Sequence, residues 1–194
     1  QGLNQSLLVK FMQARSPRHF KYDRDHKEPA TDAMNIGLAV EAMIEDPQSF
    51  RRWFTVQPLH YPAQAHQVKK GVVLGQPMDW SNNATFCKDW NKQMQEAGMT
   101  TLSQGDYAAV RGACRSIDED HEVRAIIEYS RRQVMVVAEN PLGFRMKCLL
   151  DMVPDTGTET VYDLKVLFSA EENDFNKAAW DRGYDVQGKY YMDA

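Results

Sequence analysis

Between residues 147 and 168 two short apolar runs meet at a turn rich in Pro, Asp, Thr and Gly, the stretch around Pro154-Asp155-Thr156-Gly157. That pattern predicts a β-hairpin with a longer loop. Each run carries a carboxylate among apolar neighbours, Asp151 on the first and Asp163 on the second. Side chains alternate along a strand, so Asp163 and Lys165 leave the same face. The expected pairing brings Asp151 alongside Asp163. Two carboxylates and an ammonium on one patch suit a hard divalent cation, which takes oxygen ligands. They also suit phosphodiester hydrolysis, in which the cation activates water and Lys165 orients that water or offsets charge at phosphorus.

The rest of the chain supplies elements around this hairpin. Leu3, Leu7, Leu8, Phe11 and Met12 recur at helical spacing, which predicts a helix over 3–14. Ser16-Pro17 closes it, because the residue before proline avoids the α region. Residues 21–31 are polar and read as a loop. Thr31 or Asp32 caps a helix running to about Glu45, with Ile36, Ala39, Val40 and Met43 on one face. Asp46-Pro47 starts a short helix in which Phe50, Trp53 and Phe54 form an aromatic anchor. Residues 58–80 read mainly as loop, with His60 and His66 at the surface and a brief strand over 71–75. Phe86, Trp90 and Met94 predict a helix over 83–97, ended by Gly98. Further helices are expected from about 103 to 117 and from 119 to 129. The β-rich run 133–138, a turn at Asn140-Pro141-Leu142-Gly143 and the run 144–152 predict antiparallel neighbours. Residues 161–168 make the third strand. Ser169 to Glu172 reads as a capping box before a helix over 174–182. Gly183 breaks that helix, and another starts near Asp185 with Gln187 and Tyr191 four apart on one face.

At 194 residues the chain is read as one domain, 1–194, with a helical part over about 1–130 and a catalytic part over about 131–194. No apolar run approaches the length of a membrane span, so no membrane partner is expected. The opening Gln1-Gly2-Leu3-Asn4 lacks the basic and long apolar regions of a signal peptide. Cys87, Cys114 and Cys148 are widely spaced and form no C-x-x-C, which points to reduced thiols and a cytoplasmic setting. The net charge of −4 runs against phosphate binding through bulk charge. Local clusters matter more than the total. These are Arg15 with Arg18 and Lys21, Arg51-Arg52, Lys69-Lys70, Arg131-Arg132, and Arg145 with Lys147.

Asp151, then Asp163-Leu164-Lys165, then Gln187-x-x-x-Tyr191 on a following helix resembles the PD-(D/E)xK nuclease superfamily. It is most similar to the RecE-type branch of exonuclease VIII and its phage relatives. Leu7-Leu8 through Ser16-Pro17-Arg18-His19-Phe20-Lys21-Tyr22 resembles the opening segment of that branch. Ala33-Met34 through Asp46-Pro47 and Phe50 resembles its next helix, and Arg182-Gly183-Tyr184-Asp185-Val186-Gln187 its wording before the closing helix. The similarity therefore covers most of the chain and is weakest in the middle.

The resemblance implies an α/β (α+β) fold with a restriction-endonuclease-like core, a mixed central β-sheet flanked by helices. It implies Asp151 and Asp163 as metal ligands, Lys165 as the residue that assists the water, and the carbonyl of Leu164 as a further ligand. Gln187 and Tyr191 match the Gln-x-x-x-Tyr element of RecB-like nucleases, and support the site or contact DNA. Arg145, Lys147 and Arg182 are its candidate DNA contacts. Glu41 stands where the family's Gly-x-Ala-x-His pattern has histidine, and is a candidate ligand. Gln133 stands where a strand glutamate is usual. Val166 and Leu149 replace residues more often polar. Three cysteines are too few for the iron–sulfur cluster of some relatives.

The implied activity is a Mg²⁺-dependent deoxyribonuclease, with Mn²⁺ as a substitute. The implied form is a 5′→3′ exonuclease on double-stranded DNA ends, acting in single-strand annealing recombination. An annealing protein, a ring-like homo-oligomer and a bacterial or phage-infected cytoplasm come with that reading. The resembled family usually carries a further strand and helix, so either the sequence is incomplete at its C-terminus or the protein is shorter than its relatives. The alternatives are an endonuclease or other-polarity nuclease of the same fold, or a catalytically inactive protein that binds DNA or a partner.

Overall fold

The computed structural model describes residues 4–26, 29–68, 71–139, 142–155, 157, 159–167 and 169–193. The chain groups into two compact units, Gln1–Pro29 with Asp120–Ala194, and Ala30–Glu119.

The first unit opens with α1 (Gln5–Gln13), whose first turn is capped by Asn4 accepting from the Leu7 N–H at 2.9 Å. Leu3, the first apolar position expected in this helix, lies outside the described residues. Ser16-Pro17 closes α1 and also begins α2 (Pro17–Asp25). Ser16 Oγ accepts from the His19 N–H, and proline sits at the first helical position, where its fixed φ suits the turn and no N–H is needed. The loop expected from residue 21 is therefore helical as far as Asp25. Phe11 and Phe20 meet edge to face at 5.3 Å and join the two helices.

The second unit is built on α3 (Asp32–Glu45), capped by Thr31 as expected. Ala39, Val40 and Ala42 are its buried positions, and it packs against a later helix. Next come α4 (Pro47–Trp53), β1 (Phe54–Val56), β2 (His60–Pro62), α5 (Ala65–Val68), β3 (Pro77–Asp79), α6 (Thr85–Glu96), β4 (Thr100–Leu102) and α7 (Gln104–Glu119). β1 pairs in parallel with β4, and β2 antiparallel with β3. The expected aromatic anchor divides. Phe50 and Phe54 are buried and stacked at 5.5 Å, while Trp53 is 53% exposed under the Arg52 guanidinium. The expected strand over 71–75 is a turn, with Gly71 and Gly75 both at positive φ. The stretch read as loop over 58–80 holds β2 and β3 instead, where Tyr61 is buried and stacks on Phe86. Ser103 and Asp106 cap α7 reciprocally.

The chain then returns to the first unit through α8 (His121–Glu128), capped by Asp120. β5 (Ser130–Glu139) and β6 (Arg145–Pro154) form the expected antiparallel hairpin. Asn140 and Pro141 of its turn lie outside the described residues. On β6, Met146, Cys148, Leu150 and Met152 are buried, and the residues between them face outward. The expected third strand does not form. Described residues 161–167 are irregular backbone with one antiparallel bridge, Met152 to Tyr162, and Phe168 lies outside the described residues. α9 (Glu172–Arg182) is capped by Glu171 without a side-chain hydrogen bond. Ser169 Oγ accepts from Glu171 N in a turn, so the expected capping box is absent.

Gly183 ends α9 in the left-handed region at φ 67° and leads directly into α10 (Tyr184–Met192). A Cβ there would only make ordinary contact with Val9 on α1, at 3.4 Å, so it is the left-handed backbone that favours glycine. α10 brings Tyr190 into the core formed by Met146, Cys148 and Leu150, against which Leu8 and Val136 pack. The Lys147 N–H donates to Tyr190 Oη at 3.3 Å, which fixes α10 along β6. Among the described residues no helix is long and apolar enough to cross a membrane.

Candidate active site

Asp151 occupies an outward position of β6, between buried Leu150 and Met152, and is itself only partly exposed. Its Oδ2 accepts from the Leu164 N–H at 3.0 Å. This bond and the backbone bridge between Met152 and Tyr162 tie β6 to the irregular segment that follows. Together they bring Asp163 and Lys165 beside Asp151, as the sequence predicted, through a single bridge rather than a strand ladder. Burial raises the Asp151 pKa above the usual carboxylate value, and the Asp163 charge raises it further. The Leu164 hydrogen bond and the Lys165 charge oppose that rise.

Asp163 is held from two sides. Gln187 Nε2 donates to its Oδ1 at 2.7 Å, and the Lys165 ammonium forms an ion pair with its Oδ2. Gln187 and Tyr191 lie one turn apart on α10, and Gln187 Nε2 also reaches Tyr191 Oη at 2.7 Å. Tyr191 Oη in turn donates to the Leu149 carbonyl at 3.2 Å. Burial is the main cause that raises the Tyr191 pKa, and the hydrogen bond from Gln187 works against it. The hydroxyl therefore stays protonated and able to donate. The Gln-x-x-x-Tyr spacing thus links α10 both to the Asp163 carboxylate and to the backbone of β6.

The donor set fits a hard divalent cation. Asp163 Oδ2 is shut off from solvent and has no hydrogen-bond partner; its contact with Lys165 is ionic. Two carboxylates close enough to raise the pKa of one leave negative charge that a cation offsets. Among the described residues no three His, Cys, Asp or Glu side chains cluster. Two neighbouring carboxylates match the habit of Mg²⁺, which keeps several waters.

Tyr184 belongs to this site and was not singled out from the sequence. Its ring lies 4.9 Å from the Lys165 ammonium, which is thus placed between an aromatic face and the Asp163 carboxylate. Arg182 Nη1 donates to Tyr184 Oη at 3.3 Å, so Arg182 reaches the site through that ring. No spacing rule connects Lys165 to a tyrosine nineteen positions later.

The remaining expected residues are placed as follows. Arg145 and Lys147 are exposed on β6 and share the alternation of Asp151, with Lys147 ~13 Å along the strand. Arg131 pairs with Asp155 at 3.3 Å. Lys69 and Lys70 lie outside the described residues. Glu41 is partly buried on α3 of the second unit. Gln133 falls opposite Asp151 in the hairpin register, where the ladder is interrupted and φ is 52°. A positive φ at a non-glycine residue is uncommon and marks a locally constrained backbone. Cys87, Cys114 and Cys148 are free thiols.

A family model described as a PDDEXK-like domain of unknown function (DUF3799) matches residues 4–194. No curated protein and no solved structure matched the chain.

Proposed function

Because the chain belongs to that PDDEXK-like domain family, matched from residue 4 to residue 194, we propose that it is a metal-dependent deoxyribonuclease cutting phosphodiester bonds at the Asp151–Asp163–Lys165 cluster. The observation that carries this reading is the state of Asp163. One of its oxygens is fixed by Gln187, and the other is enclosed against the Lys165 ammonium. A structural ion pair at a surface needs neither the second carboxylate nor the helix that orients the first.

Asp151, Asp163 and the Leu164 carbonyl are the residues that would hold the cation, with Mg²⁺ the natural fit and Mn²⁺ a substitute. When bound there, the cation supplies charge neutralisation and activation of the attacking water. The chain's own groups do the rest. Lys165, fixed between Asp163 and the Tyr184 ring, presents its ammonium to the charge that develops on phosphate oxygens. Gln187 holds one oxygen of the Asp163 carboxylate in place. Arg145 and Lys147 offer contacts to DNA phosphates on the outward face of β6.

Resemblance to the RecE-type branch supports the finer reading: a Mg²⁺-dependent 5′→3′ exonuclease on double-stranded ends, in the cytoplasm of a bacterial or phage-infected cell. An annealing protein as partner and a ring-like homo-oligomer belong to the same proposal. One observation favours a second reading, in which the fold binds DNA without cutting. Gln133, opposite Asp151, brings no charge to a position where the resembled family often has a strand glutamate.

A linear duplex labelled at one 5′ end, run beside a closed circle with Mg²⁺ and with EDTA, separates the readings. Mg²⁺-dependent loss of the linear DNA with the circle intact, and early release of the 5′ label, is the expected result. Cutting of the circle replaces the exonuclease by an endonuclease. No cutting of either by folded protein favours the binding-only reading.

A further inference from the structure

A groove of about 240 Å³ lies on the first unit, between α1 and the junction of α9 with α10. Its lining shares no residue with the Asp151–Asp163–Lys165 site. Val9 and Val186 are half-buried and Gly183 is buried, so these three make its floor. Gln13 Nε2 donates to the Asp181 carbonyl at 3.5 Å, which holds α1 against the end of α9. The floor is therefore fixed before anything binds. The walls are Met12 and Trp180, and the Trp180 ring is 80% exposed.

Two features give this groove a chemistry. A tryptophan ring carries negative charge on its faces and is the best aromatic seat for a cation. Asp185 is the one charged group among the described lining residues, and it is acidic. Among the described residues the Trp180 ring has no ring or cation stacked on it, and the Asp185 carboxylate has no ion pair or hydrogen bond. Arg182 lies between the two in sequence but turns to Tyr184 Oη instead. The chain thus sets an aromatic face and a carboxylate on an apolar floor and supplies no cation of its own.

We infer that this groove receives an arginine side chain of a separate, basic protein. Arginine suits both walls at once, because its planar guanidinium stacks on an aromatic ring and forks onto a carboxylate while its stem lies on apolar surface. The volume is below that usual for small-molecule sites, which fits one anchoring side chain. Tryptophan and arginine are also the residues that most often carry the energy of a protein interface. The chain's net charge of −4 decides between partners. It repels a second copy at long range and attracts a basic protein. This surface is independent of the nuclease reading.

The probe is the peptide acetyl-Leu-Arg-Leu-amide, titrated onto the full ¹⁵N-labelled chain. The control peptide has citrulline, the uncharged isostere, in place of arginine. Binding is read from the Trp180 indole N–H, assigned by Trp180→Phe, and from the Gly183 backbone amide. Both resonances should move with the arginine peptide, and the citrulline peptide should bind about tenfold more weakly. Asp185→Asn should cut that preference by about twofold or more. Trp180→Ala, read at Gly183, should weaken the arginine peptide about fivefold. Both side chains are exposed, so both variants should fold as the wild type does. No movement at Trp180 and Gly183, equal binding of the two peptides, or an undiminished preference in both variants overturns the inference. Self-association of the wild type that Trp180→Ala abolishes also overturns it, by making a second copy the occupant. Cleavage of linear duplex should be unchanged in both variants. Loss of cleavage by either folded variant would make the groove part of the catalytic machinery and overturn a separate site, whereas arginine-selective binding by a wild type that cuts nothing would leave the groove standing and remove the nuclease.

Discussion

The two carboxylates of the site reach it by different means. Asp151 rides on β6, which pairs with β5 on either side of a break at Asp151 and is anchored by the buried Met146, Cys148, Leu150 and Met152. Asp163 and Lys165 sit on a segment with a single backbone bridge, at Tyr162. Their places are set by side chains: Gln187 on Asp163, Tyr184 under Lys165, and Asp151 on the Leu164 N–H. One half of the site is a product of the hydrophobic core, and the other half of a polar network. Damage to the network should therefore disable the site while leaving the fold almost intact.

The largest effect is expected from the reacting groups themselves. Asp163→Ala or Lys165→Ala should lower cleavage of linear duplex by about a thousandfold or more, the scale of losing a principal charge-stabilising group. The melting temperature should stay close to that of the wild type, since both residues lie off the ladder. Substantial cutting by either variant would remove the proposed chemistry from this cluster. Leu150→Ala tests the other half. It should cost about 2–5 kcal/mol of stability, the range for truncating a buried leucine, and lower activity only in proportion to the unfolded fraction.

Gln187→Ala comes next. Removing a group that orients a metal-binding carboxylate typically costs about 10- to 100-fold. The loss should appear in kcat, with apparent metal affinity weakened, and the hairpin should stay folded. An unfolded Gln187→Ala protein would show that α10 holds β6 through this network as well as through Tyr190. Smaller again is Tyr184→Leu, which removes the ring beneath Lys165. A cation–π contact of about 0.5–2 kcal/mol corresponds to a loss of roughly 2- to 30-fold. Tyr184→Phe keeps the ring and should retain most activity. Equal loss in both variants would assign the effect to the hydroxyl and its bond from Arg182.

The same contrast explains what was legible in the sequence. β5 and β6 are legible as β-rich and apolar runs on either side of a turn that contains Pro and Gly, the pattern of antiparallel neighbours. The Gln187–Tyr191 spacing was legible because one helical turn is a fixed distance. The third strand failed although its apolar content was right. The Leu164 N–H that a ladder would give to a carbonyl goes to the Asp151 carboxylate instead. A pattern of apolar residues does not reveal that competition. The helix Pro17–Asp25 is hidden because Ser16-Pro17 reads as a stop, while its capping geometry is also a start. Tyr184 was out of reach, since a cation over a ring depends on how α9 turns into α10 at Gly183, which is a tertiary fact.

The smallest expected effect tests whether the hairpin half is independent of charge. Burial and the Asp163 carboxylate raise the Asp151 pKa, so the folded protein holds that proton more tightly than the unfolded chain does. The resulting stability is fully present below the ordinary carboxylate range and is lost as pH rises through the raised value. At pH 7 the ionised group is a net cost. Asp151→Asn removes the charge and keeps an oxygen to accept from Leu164. In EDTA at pH 7 the variant should melt at or above the wild-type temperature, with each kcal/mol worth about 2–4 °C in a chain of this length. The gap should close near pH 4. Added Mg²⁺ should raise the wild-type melting temperature and leave Asp151→Asn nearly unmoved, because a ligand that binds only the folded site stabilises it by mass action. A variant that melts lower than the wild type at pH 7 would mean that Leu164 and Lys165 already satisfy the Asp151 charge. The ladder and the network would then be one cooperative structure, and the division between them would fail.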